Sequence, residues 1–176
     1  QLSGTIYRIT RRDRGNPRIP TIDYVSDAGL MAALQSPARN VRSVAVIKLA
    51  ARGDAVFPQL KGLFDSAKNP YVQARPIWVM SQLGSKGQSY VRNLLDSENP
   101  QHRLVAYRAL RFAQPGELIP MAEKMAGDKD PSIRREVALS LRDVPYAKAK
   151  RALGQVIAGY DGKNRWYLEA IGYAAA

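Results

Sequence analysis

The chain contains no cysteine and a single histidine, His102, in 176 residues. The first absence excludes disulfides, thiolate zinc sites, iron–sulfur clusters, a catalytic cysteine and covalent haem attachment in this stretch. One imidazole is too few for a multi-histidine metal site and argues against histidine-dependent catalysis. No run of 18 apolar residues occurs, so no membrane-spanning helix is expected. Acidic residues are few, 15 against 27 basic, and the net charge is +12. Such an excess attracts phosphate, acidic proteins and anionic surfaces. Apolar residues make up 45% and charged residues 24% of the chain, ordinary proportions for a globular protein, so global disorder is not expected. The first residue is Gln1 rather than Met, which reads as a processed chain or a fragment.

What the sequence does contain is a repeat. Four segments align, beginning at Asn40, Tyr71, Gln101 and Ser132, and a looser fifth begins at Lys163. Their anchor residues Val41, Val72, His102, Ile133 and Asn164 are spaced by 31, 30, 31 and 31. In the first four copies, four residues past the anchor stand Ala45, Pro76, Ala106 and Val137, and eight past it Leu49, Met80, Leu110 and Leu141. Apolar positions at 0, +4 and +8 form one stripe on a helix. Small residues at +4 let a neighbouring helix approach closely. Pro70, Pro100 and Pro131 fit the first helical turn, where a missing N–H costs nothing. Asn69, Asn99 and Asp130 precede them in N-cap position. An apolar stripe also precedes each copy, at 30–35, 56–65, 90–96, 118–125 and 149–158, with turn residues between.

Each unit is therefore helix, turn, helix in about 31 residues, and the expected fold is an all-α right-handed superhelix of about five hairpins over 26–176. Residues 1–25 differ. Gly4–Thr10 alternates as a β-strand does. Arg8, Arg11, Arg12, Arg14 and Arg18 make the start basic against Asp13 alone. An extended arm is expected there.

Asp130-Pro131-x-Ile133-Arg134-x-x-Val137 resembles the HEAT repeat, with variants from Asn99 to Ala106 and from Asn69 to Pro76. The resemblance implies an armadillo-type α-solenoid of the short bacterial class, since the period falls below the usual ~40–47 residues. Gly4–Ile9 and Asp161–Ala170 are similar to segments of Planctomycetes and Verrucomicrobia membrane-bound dehydrogenase-like proteins. Those proteins join a sugar-dehydrogenase-like β-propeller, HEAT repeats and a c-type haem domain. This second resemblance implies that the chain is the middle module of an extracytoplasmic, periplasmic parent. Neither parental activity carries over, because the propeller catalytic residues and the haem motif are absent. The chain ends on Ala174–Ala176, which is not a polar cap, so continuation of the parent is expected.

No catalytic residue, metal site or cofactor is expected. Glu136 and Glu169 read as isolated acids, Asp128 and Asp130 as capping residues, and His102 as a core histidine. Gly84-Ser85-Lys86-Gly87 is too short for a phosphate loop and follows no strand. Arg42, Arg103, Arg134 and Arg165 recur one residue past the anchors, interrupted by Gln73. They are expected to form a structural ladder that pairs with acids or carbonyls of adjacent turns, Glu98, Asp128, Asp130 and Asp161 being candidates. Positions +2, +6 and +9 are expected on the concave surface. They hold Arg108, Arg111, Arg135 and Arg142 at one end. At the other end they hold Ser43, Ile47, Ala50, Ala74, Trp78 and Ser81. Trp78 and Trp166 are expected to be largely core, Trp78 with a candidate binding role. Tyr160, Tyr167 and Tyr173 are expected to cover the end of the stack.

The expected function is a non-catalytic protein–protein interaction scaffold within a larger protein, binding a partner or neighbouring domains. The alternative is a nucleic-acid-binding module that uses the basic concave surface. An enzyme such as the HEAT-like lyases finds no support in the residues.

Overall fold

The computed structural model describes residues 20–175. The expected strand at 4–10 and nearly all of the basic linker lie outside the described residues, and residues 20–25 have no regular structure. Ten α-helices follow: α1 (Asp27–Leu34), α2 (Arg39–Ala50), α3 (Phe57–Ser66), α4 (Pro70–Met80), α5 (Ser85–Asn93), α6 (Pro100–Ala113), α7 (Leu118–Met125), α8 (Pro131–Ser140), α9 (Tyr146–Ala158) and α10 (Arg165–Ala175). Short 3₁₀ turns at Gly53–Val56, Leu94–Asp96 and Pro115–Glu117 adjoin α3, α5 and α7. Successive helices pair as five hairpins, and the second helices α2, α4, α6, α8 and α10 pack side by side in chain order. This is an all-α solenoid.

The helix starts follow the capping chemistry of the repeat. Asn69 accepts hydrogen bonds from the amides of Tyr71 and Val72, Asn99 from Gln101, and Asp130 from Ser132. These bonds satisfy donors that have no partner inside the helix, and the proline after each cap supplies helical φ. The helix α5 has Gly84 at its cap and no side chain to offer. Asp54, from the turn after α2, supplies the acceptors instead, taking the amides of Lys86 and Gly87 at 3.2 and 3.1 Å. Gly84 has to be small, because a Cβ there would stand 2.5 Å from the Asp54 carboxylate. A carboxylate from the preceding repeat therefore occupies the N-terminus of the glycine-containing Gly84–Gly87 segment.

The 0, +4, +8 stripe forms the core. Val41, Ala45, Leu49, Ala106, Leu110, Ile133, Val137 and Leu141 are all buried. Burial of such side chains stabilises by about 1.5–3 kcal/mol for each large one. The fifth unit departs from the pattern. Asn164 and Leu168 are exposed there, and α10 is held by buried Tyr167 and Ala170, packing more on α8 than on its own partner α9.

Two glycines test this packing with opposite signs. A Cβ on Gly87 would lie 2.5 Å from the Met80 carbonyl oxygen, whereas one on Gly154, exposed in α9, would meet nothing within 4 Å. Gly87→Ala is expected to lower stability by about 1–3 kcal/mol through overpacking, and Gly154→Ala to raise it by about 0.5–1 kcal/mol. Chemical denaturation of the two variants checks both.

Candidate functional site

At the turn edge of the stack, polar side chains close the backbone. Arg42 donates to the carbonyls of Ser36 and Pro37 at 2.9 and 2.6 Å. Arg103, 4% exposed, does the same to Ser97 and Glu98 at 2.8 and 3.1 Å. Its other two donors grip the Asp128 carboxylate bidentately, both at 2.8 Å. Arg134 donates to Asp128 and Lys129 in its own hairpin and to the Gly159 carbonyl of the next. It also donates to the Tyr167 hydroxyl at 3.0 Å, and that hydroxyl donates onward to the Val156 carbonyl at 2.8 Å. Burial would raise the Asp128 carboxyl, but the bonds from Arg103 and the Asp130 amide hold it below the ordinary carboxylate value.

Gln73 keeps the geometry of the row without its charge. Its amide nitrogen donates to the Phe64 carbonyl, and its oxygen accepts from His102 Nε2 at 3.1 Å. His102 is half-buried, lies 4.9 Å from the Phe64 ring, and is held toward the neutral form by burial. Arg75 reaches back from α4 to the Leu34 and Ser36 carbonyls. Arg165 does not extend the row. Its side chain is 83% exposed and pairs with Glu169 on its own helix.

The face made by the second helices carries three grooves. The first, about 540 Å³, lies among α2, α4 and α6 and includes Arg39, Ile47, Trp78 and Phe112. Trp78 is half-buried and meets the Phe112 ring edge-on at 6.2 Å, so it is both a core and a surface residue. The second, about 470 Å³, runs between α4 and α6 over Ile77, His102, Leu104, Val105 and Arg108. The third, about 260 Å³, is bounded by Arg108, Arg135, Leu139, Trp166 and Tyr173. Large apolar side chains stand in the open on this face: Ile47 is 69%, Phe112 68% and Trp166 67% exposed.

The four arginines expected on this face differ in their engagement. Arg108 and Arg111 both reach Glu136, at 2.5 and 3.3 Å. Arg142 stands 5.2 Å over the Tyr173 ring and 4.0 Å from Asp143. Arg135 has no carboxylate partner among the described residues. Beneath them the Tyr107 hydroxyl, pushed up to about 12 by burial, meets Ser140 Oγ at 2.6 Å.

Glu136, expected among basic or apolar neighbours, is buried between α6 and α8 as the counter-ion of two arginines, which its position three residues past an anchor does not announce. A further expectation needs correction. Trp166 is not core, because the rotation of α10 onto α8 turns it outward. Phe112, Leu139 and Tyr173 were not singled out as docking residues at all. Phe112 is ten residues past its anchor, beyond the repeat frame, and Leu139 reads as one more apolar helix position. Only the neighbouring helices reveal that nothing covers them. Among the described residues there is no group of three or more metal-ligating side chains, and no helix is long and apolar enough to cross a membrane.

Paired helices, a recurring turn clamp and side-by-side second helices define a helical-repeat solenoid. Residues 88–171 match the family model described as HEAT repeats, a stretch that runs from within α5 to within α10. Over that stretch the chain is similar to HEAT repeats. No curated protein matches the sequence.

Two variants test the polar framework. Arg103→Ala is expected to lower stability by about 3–5 kcal/mol, because it strands the buried Asp128 carboxylate. The lowered Asp128 value also sets a sign. Its contribution is complete above the ordinary carboxylate pKa and disappears as pH falls through that value toward the lower folded one. Melting temperature followed downward from about pH 5 is therefore expected to fall more steeply for wild type than for Arg103→Ala. Removing Arg108 and Arg111 together would strand Glu136, and the double alanine variant is expected to lose about 1–3 kcal/mol, measured by denaturation against each single variant.

Proposed function

We propose that the chain is a non-catalytic protein-interaction scaffold that binds through the face of its second helices. One observation carries this reading: Ile47, Phe112, Leu139 and Trp166 stand exposed on the same face as three grooves. Apolar surface left in water at one face of a solenoid stabilises nothing in the monomer and gains free energy when a partner covers it. HEAT repeats commonly serve protein–protein interaction, which agrees with this reading. In a longer parent of the propeller–HEAT–haem kind that residues 4–9 and 161–170 resemble, neighbouring domains would be candidates for the same face.

The nucleic-acid reading rests on net charge, and the distribution of that charge counts against it. No lysine lines any of the three grooves. Glu136 already neutralises part of the arginine cluster, and apolar side chains occupy the floor, where a phosphate backbone gains little.

A photo-crosslinking residue at Phe112, compared with one at Lys61 on α3, tests the assignment in extract of the source cells. The expected outcome is one identified protein joined at position 112 and absent at position 61. Crosslinks to nucleic acid, or equal products at both positions, would sink the scaffold reading. Fluorescence anisotropy with duplex DNA is expected to show any binding at ~50 mM salt disappearing by ~200 mM, as generic counterion-driven contact does.

A further inference from the structure

Arg108 lines both the α4–α6 groove and the groove bounded by α6, α8 and α10. The two grooves thus adjoin at its guanidinium and together are referred to as the trough. Its side chain is 43% exposed even while bound to Glu136. On one side lie Ile77, Leu104 and Val105, and on the other Leu139, Trp166 and Tyr173.

The charge of the trough is not balanced from within. Around its α8–α10 end stand Arg108, Arg111, Arg135, Arg142 and Arg165 against the carboxylates of Glu136, Asp143 and Glu169. Glu136 is shared by two arginines and Glu169 is held by Arg165 at 2.8 Å. Arg135 has no acid among the described residues, and Arg142 has only an exposed one at 4.0 Å. Positive charge therefore remains between two apolar hollows. A ligand that is all anion would leave Leu139 and Trp166 in water, and one that is all apolar would desolvate Arg108 and Arg135 with nothing to pair them, which costs free energy.

We infer that the trough takes a protein segment of acidic amphipathic character, with apolar side chains in the two hollows and one or more Asp or Glu carboxylates between them on Arg108 and Arg135. This rests on the scaffold reading and narrows it to a partner chemistry. Packed helices lie about 8–10 Å apart, so two inter-helix steps measure roughly 20 Å, which about 13 residues of helix span. Arg108 and Arg135 set where the acid falls, and the hollows set the spacing of the apolar anchors. The buried Glu136 contributes by holding Arg108 and Arg111 at the floor rather than by touching the ligand.

The test uses the full chain and a display library of random 16-residue peptides, with counter-selection on an Arg135→Glu, Leu139→Glu double variant. Leu139 is exposed and Arg135 half-buried, and neither carries an ion pair among the described residues, so folding is expected to survive and is checked by circular dichroism. The expected result is enrichment of sequences with an acid flanked by apolar residues. Binding of a selected peptide is expected to fall about tenfold or more on Arg135→Glu or Leu139→Glu, the scale of an interface hot spot. Lys148→Glu, which makes the same charge change on α9, is expected to alter it less than about twofold, as a remote rim charge does. Replacing the peptide's acid by its amide is expected to weaken binding about fivefold.

No enrichment, enrichment of sequences lacking acids, or equal losses on Lys148→Glu and Arg135→Glu would overturn the inference. So would duplex DNA that displaces the peptide at comparable concentration and is itself lost on Arg135→Glu. The failures are separable. A protein crosslinked at position 112 with no acidic motif from the library removes this inference and leaves the scaffold standing, whereas nucleic acid at position 112 removes both.

Discussion

A buried guanidinium whose three nitrogens all bond turn backbone or the neighbouring repeat is the interaction on which the solenoid depends. In Arg103 one nitrogen holds the Ser97 and Glu98 carbonyls, which closes its own hairpin, and two hold Asp128, which sits in the turn of the next. Arg134 repeats the arrangement one unit on with Gly159 and Tyr167 as its long-range partners. Helix packing alone fixes an axial spacing poorly, because ridges can slip past grooves with little change in buried area. A planar fork with fixed hydrogen-bond directions does not slip. The cost is a charge out of water, offset because each guanidinium nitrogen finds an acceptor and Asp128 supplies the counter-charge.

That constraint separates two populations of arginine. Arg103 and Arg134, one residue past their anchors, work at the turn edge and have little left for a ligand. Those on the second-helix face sit beside exposed aromatic and aliphatic side chains and are only partly neutralised by Glu136. High net charge therefore says little about function by itself. Part of it is structural, and the face with grooves mixes charge with apolar surface. Such a mixture suits a partner that can bury hydrophobic side chains, and it is the reason the scaffold reading stands ahead of a polyanion.

Departures from the repeat have physical causes. Gln73 replaces a ladder arginine because its amide reaches the Phe64 carbonyl while His102 completes the other side. The helix α5 lacks a capping side chain because Asp54 arrives from the preceding hairpin. In each case a residue distant in sequence provides the missing group, so no local pattern announces it.

The sequence by itself determined the architecture. A spacing of 30 to 31 residues, Asn or Asp before proline, and apolar residues at 0, +4 and +8 are local and periodic, and hydrophobic burial and capping act on them directly. Arginine one residue past the anchor was legible as structural for the same reason. Tertiary structure alone decided which side chains face a neighbour and which face water. Glu136 became a shared counter-ion because α6 and α8 lie side by side, and Trp166 became a surface residue because α10 rolls toward α8. Phe112 stays 68% exposed because Trp78 of α4 meets only the edge of its ring. These outcomes depend on inter-helix distance and rotation, which a one-dimensional period does not encode.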